Sequence, residues 1–385
     1  MDDPIDRLRL IRTESVGPIT YRRLMARFRS AAEAIQALPG LAAAGGATFT
    51  PKIPTRAEAE RELAALRKFG AQLIFLDQPG YPEFLAQLAD APPALAVLGD
   101  VALLSAPAVG IVGARNASAN GMRLAEDLAT NLSPKLTIIS GLARGIDAAA
   151  HRGALRGGAH QTSTRAGRTI AVIAGGLDVP YPPEHDKLQA EIAANGAVVA
   201  EAPLGTAPLA RHFPKRNRII AGLVLGLVVI EAAAQSGSLL TARLANEAGR
   251  ELFAVPGSPL DPRSKGANDL IRQGAHLTET AEDIFANLPD HPGREGLSRD
   301  PLFQRVNAGF GEPPPVWAEP ADGAELSRAR RRIPGLIGAD PVTVDEIARR
   351  CQLSTAAVAA VLLELELGGR VESLPGNRVA LTASP

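Results

Sequence analysis

Phe213-Pro214-Lys215-Arg216-Asn217-Arg218-Ile219-Ile220-Ala221-Gly222-Leu223, with the run Leu225-Gly226-Leu227-Val228-Val229-Ile230 behind it, decides the fold. No polar residue alternates with the apolar ones in that run, so a strand here is buried on both faces, and the segment before it reads as a helix. The same pairing recurs on both sides. Apolar runs lie at Val109 to Val112, Leu136 to Ile139, Thr169 to Ile173, Val198 to Ala200 and Leu252 to Val255. Helical stretches fall near Gly121 to Leu132, Ile146 to Leu155, Glu184 to Asn195 and Ser238 to Ala248. Strands alternating with helices predict an α/β domain, a doubly wound, mostly parallel Rossmann-like sheet with helices on each face. A strand at His276 to Thr278 and a helix at Ala281 to Leu288 close it.

Working outward, the chain divides into four expected parts. Residues 1–76 form a small helical domain, since Leu8, Ile11, Val16, Ile19, Leu24, Phe28, Ala32 and Ile35 recur at helical spacing. Within it Ser15-Val16-Gly17-Pro18-Ile19 ends one helix and starts another. Such a turn reads as a helix-hairpin-helix (or SAM-like) contact to DNA backbone, or equally as a packed helical hairpin with no ligand. The sheet domain takes 77–288, and a Pro/Gly-rich linker with Pro313-Pro314-Pro315 takes 289–328. Residues 329–385 then read as a winged helix: Thr343-Val344-Asp345-Glu346 opens one helix, Ser354 caps a second running to Leu367, and Arg370 to Leu381 folds as a hairpin around Pro375-Gly376-Asn377.

At 385 residues the chain exceeds one ordinary core. Its 41 Lys and Arg balance 41 Asp and Glu, so bulk charge draws it to neither nucleic acid nor an anionic membrane, and any polyanion site is local. The single cysteine, Cys351, excludes an internal disulfide and a multi-cysteine zinc site. Six scattered histidines give no metal-ligand pattern, so no metal or cofactor is expected. The N-terminus starts acidic without a signal-peptide core, and no apolar run reaches the length of a membrane span. The expected address is the cytoplasm.

Ligands of an open parallel sheet bind beyond the carboxyl ends of its strands, so the loops there carry the function. Four have anion-friendly composition. Gly113 to Gly121 offers backbone amides and the planar fork of Arg115. Ser140-Gly141-Leu142-Ala143-Arg144-Gly145-Ile146-Asp147 turns into a helix with Arg144 beside its N-terminus, either for phosphate or paired to a carboxylate. Gly175 to His185 brings Tyr181, which either stacks a base or plugs the loop onto its domain. The fourth joins Lys215, Arg216, Asn217 and Arg218 to Gln235-Ser236-Gly237-Ser238. Three cations on one turn cannot all face one way, so two are expected to bind and one to pair internally. The dinucleotide fingerprint G-x-G-x-x-G is missing, which disfavours a nicotinamide cofactor. Catalytic patterns are poor: Asp147 and His151 lie four apart with no nucleophile or metal cluster, and Ser140 and Ser236 lack a base. An alternative reading is a phosphoribohydrolase of the lysine-decarboxylase-like group, for which Gly237 to Thr241 followed by Glu247 is a poor match.

Val112-Gly113-Ala114-Arg115, the Ser140 to Asp147 loop, Phe213 to Leu223, Ser236 to Ala242 and Val255-Pro256-Gly257-Ser258 together closely resemble the DNA-processing protein A family (DprA, also called Smf). The resemblance spans Asp77 to Leu288, and the flanking domains fit the longer members. It implies a single-stranded-DNA-binding protein of natural transformation that protects incoming strands and loads the RecA recombinase, works as a homodimer, and does not hydrolyse its ligand. It further implies that Arg115 holds phosphate and that Ser140, Gly141, Arg144, Lys215, Arg216, Asn217, Arg218, Ser236, Gly237 and Ser238 belong to the same pocket. Two departures stand out. Pro183 occupies a position where the family usually has a cation, with Lys187 one turn on as a partial substitute. Gly157 to Arg168 is longer than the family's usual link and reads as a mobile surface loop. In the winged helix, Thr355 to Leu367 has no Arg, Lys, Asn or Gln and carries Glu364 and Glu366, so it is expected not to read duplex sequence. Protein contact, or backbone contact through Arg370 and Arg378, is the better expectation, and the run Arg328, Arg330, Arg331, Arg332 is either a nucleic-acid contact or a solvated linker end.

Overall fold

The computed structural model describes residues 2–47, 50–159, 169–289, 323–374 and 376–382. The segment 160–168 and the central part of the expected linker, 290–322, lie outside the described residues. Four helices open the chain: α1 (Pro4–Ile11), α2 (Pro18–Arg27), α3 (Ala31–Ala44) and α4 (Arg56–Phe69). The α1–α2 turn uses Ser15 in the left-handed region, Gly17 as the cap and Pro18 at the first helical position, where its missing N–H costs nothing.

The sheet domain follows as β1 (Gln72–Phe75), α5 (Glu83–Ala86), β2 (Ala94–Gly99), β3 (Ala108–Gly113), α6 (Ala119–Leu132), β4 (Thr137–Ser140), α7 (Ile146–Ala159), β5 (Thr169–Ile173), α8 (Asp186–Asn195), β6 (Ala197–Ala200), α9 (His212–Leu223), β7 (Gly226–Ile230), α10 (Gly237–Glu247), β8 (Glu251–Ala254), α11 (Lys265–Arg272), β9 (His276–Leu277) and α12 (Ala281–Asn287). Nine strands pair in the order β1-β2-β6-β5-β4-β3-β7-β8-β9. From β3 to β9 every pairing is parallel, whereas β2 runs antiparallel to both β6 and β1. Two strands lie beyond the predicted set: β1 falls within residues 1–76, expected to be wholly helical, and β2, buried through Ala94 to Val97, follows Pro92-Pro93.

Val109 and Ile111 of β3, with Val228 and Ile230 of β7, turn to one face and bury against Ala125 and Leu128 of α6 and Ile146, Ala149 and Ala150 of α7. The alanines let those helices lie close to the sheet, and each buried branched side chain contributes roughly 1.5–3 kcal/mol. Helices α9 and α10 pack on β3 and its neighbours as well. The chain winds from β3 to β6 in one direction, then returns to place β7 on the other side of β3. The switch point between β3 and β7 opens a crevice at the strands' carboxyl ends.

By its contacts the chain forms two compact units. One is the sheet unit, made of Ala64–Leu88 and the segment from Ala94 onward; the other gathers the chain through Leu63, Ala89–Pro93 and the C-terminal segment. The C-terminal segment has α13 (Gly323–Arg332), β10 (Val342–Thr343), α14 (Val344–Cys351), α15 (Thr355–Leu367), β11 (Val371–Leu374) and β12 (Arg378–Leu381), with the sheet ordered β10-β12-β11. It is a winged helix. Thr343 accepts the Glu346 N–H and Ser354 accepts the Ala357 N–H, which fixes both helix starts.

Helix α15 is apolar nearly all round and is buried on two sides. Val358, Val361, Leu362 and Leu365 fill the winged-helix core, while Leu363 and Leu367 enter the core of α1 to α3 with Leu10, Leu24 and Leu38. Glu364 does not form an acidic surface as the sequence suggested: it is buried, and both its oxygens accept from Arg330 at 2.7 and 2.8 Å. Glu366 pairs with Arg23 of α2, which also donates to the Ser373 hydroxyl. Arg332 donates to the Cys351 carbonyl.

Candidate functional site

The crevice at the switch point is a cavity of about 860 Å³ lined from six segments, one of them contributing Arg263 from the turn before α11. Gly113 to Asn116 come from the end of β3, Ala143 and Asp147 from the β4–α7 turn, and Tyr181 from beyond β5. Pro208 and Ala210 lead into α9, which adds Phe213, Arg216 and Asn217, and Gln235 to Ser238 lead into α10.

Phe213 organises its cationic wall. The Arg115 guanidinium stands 5.0 Å from the centre of the Phe213 ring, Arg216 stands 5.9 Å from it, and the Tyr181 ring is tilted against it at 5.6 Å. Stacking on the ring holds Arg115 in place while leaving it exposed. Tyr181 keeps 45% of its surface in solvent. Lys215, between the lining residues Pro214 and Arg216, is exposed on α9.

Arg216 is different in kind. Only 6% exposed, it donates from Nη1 to the Val172 carbonyl of β5 at 2.9 Å and leaves its Nε without a hydrogen-bond partner. Burial pulls its pKa down, and the charges of Asp147 and Arg115 act on it in opposite directions. The guanidinium lies over Gly141 so closely that any side chain there would overlap it. Asp147, also buried, accepts the N–H groups of Gly141 and Ala143 at 3.2 and 3.3 Å. Burial raises its pKa, opposed first by Arg216 and then by those two amides.

The profile of the family described as "DNA recombination-mediator protein A" matches residues 72–289, more than half of the chain. The chain belongs to the DNA-processing protein A family. Two further family profiles cover its ends, "DprA-like N-terminal HHH domain" at 1–65 and "DprA winged helix domain" at 318–377. The chain is 38% identical over 335 residues to Protein Smf of Escherichia coli, covering 85% of this chain and 82% of that one. It is 46% identical over 208 residues to DNA processing protein DprA of Streptococcus pneumoniae, 54% of this chain and 71% of the relative. The X-ray structure of the S. pneumoniae protein superposes with a TM-score of 0.57 at 41% identity, over 62% of this chain and 80% of that one. As a member of this family the chain is a DNA-processing recombination mediator.

Of the eleven residues that resemblance to the DNA-processing protein A family nominated, together with Lys187 as the partial substitute for a missing cation, Arg115, Arg216, Asn217, Ser236, Gly237 and Ser238 line the cavity. Lys215 stands beside them, and five others do not line it. Arg218 is turned inward, its side chain 8% exposed, and donates to both oxygens of Glu201 at 2.7 Å. The Ser140 hydroxyl is buried and donates to the Ile111 carbonyl at 2.6 Å, tying β4 to β3. Gly141 is the floor beneath Arg216. Arg144 pairs with Glu184, and that hydrogen bond raises its pKa and lowers that of Glu184. Lys187 lies exposed in the first turn of α8, outside the lining, and Pro183 opens the 3-10 turn before it.

The expected approach of an anion to loop amides also needs correction. In the loop after β3, Glu231 takes the Ser118 N–H at 2.8 Å and the Ser118 hydroxyl, and in the loop after β4, Asp147 takes two amides. Internal carboxylates fill both places, so the cations carry the attraction for an external anion.

Asp147 and His151 form no acid–base pair. His151 is fully buried with Nδ1 at 2.7 Å from the Thr169 hydroxyl, and burial drives its pKa down to about 3. Glu247 ends α10 and is not in the cavity lining, whose last α10 residue is Thr241, roughly 9 Å away along the helix at 1.5 Å per residue. That separation removes the carboxylate the phosphoribohydrolase reading requires. Among the described residues no group of three or more His, Cys, Asp or Glu is placed to hold a metal, and no helix is long and apolar enough to cross a membrane.

Sequence reasoning missed Phe213 as the ring that orders the wall, although an aromatic residue directly before Pro214-Lys215-Arg216 was the available signal. It also missed Glu231, for which an acidic residue ending an apolar strand run at a sheet edge was the only hint.

Proposed function

We propose that the crevice binds single-stranded DNA. Arg115 and Lys215 hold phosphates, Tyr181 and Phe213 stack bases, and Asn217 with Ser236, Gly237 and Ser238 supplies hydrogen bonds along the opposite side. The observation that carries this reading is the Arg115–Phe213–Tyr181 stack, a cation and an exposed ring sharing one aromatic support at the mouth of a cavity. Single strands are gripped by this combination, because every base has a face to stack while phosphates need only charge. A duplex hides its base faces. Arg216 acts as the wall behind the strand, while Arg218, Ser140 and Gly141 shape that wall without touching DNA.

The family membership supports extending the reading: the protein works in the cytoplasm as a homodimer, does not hydrolyse the strand, and hands it to the RecA recombinase. Fluorescence anisotropy with a labelled oligothymidylate and with a duplex of equal length, at the same salt, tests the binding claim. The single strand binds more tightly. Equal affinity for both would remove the role of Tyr181 and Phe213 and with it this reading.

A further inference from the structure

Arg263 lines the crevice from the turn between β8 and α11, the last strand to reach it along the sheet. Strands β5, β4, β3, β7 and β8 lie side by side and parallel, so the loops after them share one edge. Tyr181 follows β5 and Arg263 follows β8. Those strands are four spacings apart, roughly 19 Å at about 4.8 Å each, which is room for several nucleotides at about 3.4 Å per stacked base.

The Arg263 guanidinium is held flat. Its Nε and Nη2 donate to the two oxygens of Asp261 at 3.0 and 2.7 Å, and such parallel bonds keep guanidinium and carboxylate close to one plane. Asp261 also accepts the Arg263 N–H at 2.9 Å, and Pro262 between them stiffens the turn. Behind it Ser264 is buried against Gly257, whose N–H and carbonyl both bond to the Asn268 side chain, at 3.1 and 2.9 Å. Both charged side chains stay partly exposed. Their hydrogen bonds lower the Asp261 pKa and raise that of Arg263, so both remain ionised and the pair is neutral as a whole. It has little surplus charge for a phosphate. What it offers is a fixed, flat face, and a guanidinium plane stacks on aromatic rings, nucleobases included.

We propose that Arg263, flattened against Asp261, is a base-stacking platform at the β8 end of the crevice, the counterpart of Tyr181 at the β5 end, and that it holds no phosphate. The inference rests on the single-strand reading and deepens it, giving the strand a second stacking point. A strand so held is gripped by its bases at both ends and by its phosphates at Arg115 and Lys215.

The experiment measures the affinity of the full chain for a labelled oligothymidylate, and its salt slope, in three variants with the net charge of the wild type. Asp261→Asn with Arg263→Ala exchanges a neutral pair for two neutral side chains and removes the plane, while the asparagine still accepts the N–H that shapes the turn. Asp261→Asn with Arg263→Tyr puts a flat ring back. Arg263→Lys keeps the charge and the partner but has no plane. The variant with Arg263→Ala is expected to bind about tenfold more weakly at an unchanged salt slope. Arg263→Lys is expected to bind as weakly, and the variant with Arg263→Tyr to recover most of the loss, all at the wild-type melting temperature. Wild-type affinity after Arg263→Ala means that the pair only shapes its turn, and wild-type affinity after Arg263→Lys means a phosphate contact. Either result, or no recovery with Arg263→Tyr, overturns the proposal while the single-strand reading stands. A wild-type chain that binds no oligothymidylate overturns both.

Discussion

Arg216 rests on Gly141: a Cβ at position 141 would stand 1.6 Å from the Arg216 Nη1, so the glycine and the buried arginine require one another. The consequence is a division of labour within a cation-rich turn. Arg216 and Arg218 are spent on Val172, Asp147 and Glu201, and Lys215 is left facing solvent.

Gly141→Ala tests that contact. The added methyl displaces a buried guanidinium from the Val172 carbonyl, which costs about 3 kcal/mol through overpacking and lost hydrogen bonding. Urea unfolding is expected to show this loss. Single-strand binding is expected to weaken in the surviving folded fraction, because the wall moves.

Lys215→Ala and Arg218→Ala separate ligand contact from architecture. Losing one phosphate contact to a single strand lowers the salt slope by about 0.7 units. Lys215→Ala is expected to do this with an unchanged melting temperature. Arg218→Ala is expected to do the reverse, costing about 2 kcal/mol by stripping Glu201 of a two-bond partner and leaving the slope intact.

His151 predicts an acid-sensitive stability. Its pKa falls from an ordinary 6.5 to about 3 in the folded chain through burial. The unfolded chain therefore takes up a proton first as the pH drops. The contribution is fully present above pH 6.5 and is lost as the pH falls from 6.5 towards 3, at up to about 1.4 kcal/mol per pH unit. Asp147 is shifted upward and acts in the opposite sense, so the clean measurement is the difference between wild type and His151→Gln. That difference should shrink steadily below pH 6.5, and a flat difference would exclude the assignment.

Arg330→Ala addresses the winged helix. It leaves the buried Glu364 carboxylate without its two-bond partner and is expected to cost about 2 kcal/mol, less than for a fully buried pair because Arg330 is itself half exposed. Thermal melting of the full chain reads it out, and Glu364→Gln should cost less.

Much of this was legible in the sequence, for identifiable reasons. The seven parallel strands showed themselves because runs such as Leu225 to Ile230 lack polar alternation, and the winged helix because Thr343 and Ser354 mark helix starts. Strand β2 stayed hidden behind Pro92-Pro93, since Ala94-Leu95-Ala96-Val97 is alanine-rich and carries weak strand propensity. Glu364 looked like a surface acid because only tertiary packing brings Arg330, 34 residues earlier, against it. The cavity's composition could be read from loop chemistry, but which cations turn inward could not. Arg216 and Arg218 are distinguished from Lys215 by Val172 and Glu201, residues whose proximity exists only after the sheet has formed.

The central claim is that Arg115 and Lys215 are the phosphate contacts of a single-strand pocket. The most direct measurement is the salt dependence of oligothymidylate affinity for wild type and for the Arg115→Ala, Lys215→Ala double variant, with matched melting temperatures as the control. A fall in slope of about 1.4 units, two contacts at about 0.7 each, is the predicted result. An unchanged slope and affinity in a folded double variant would contradict it.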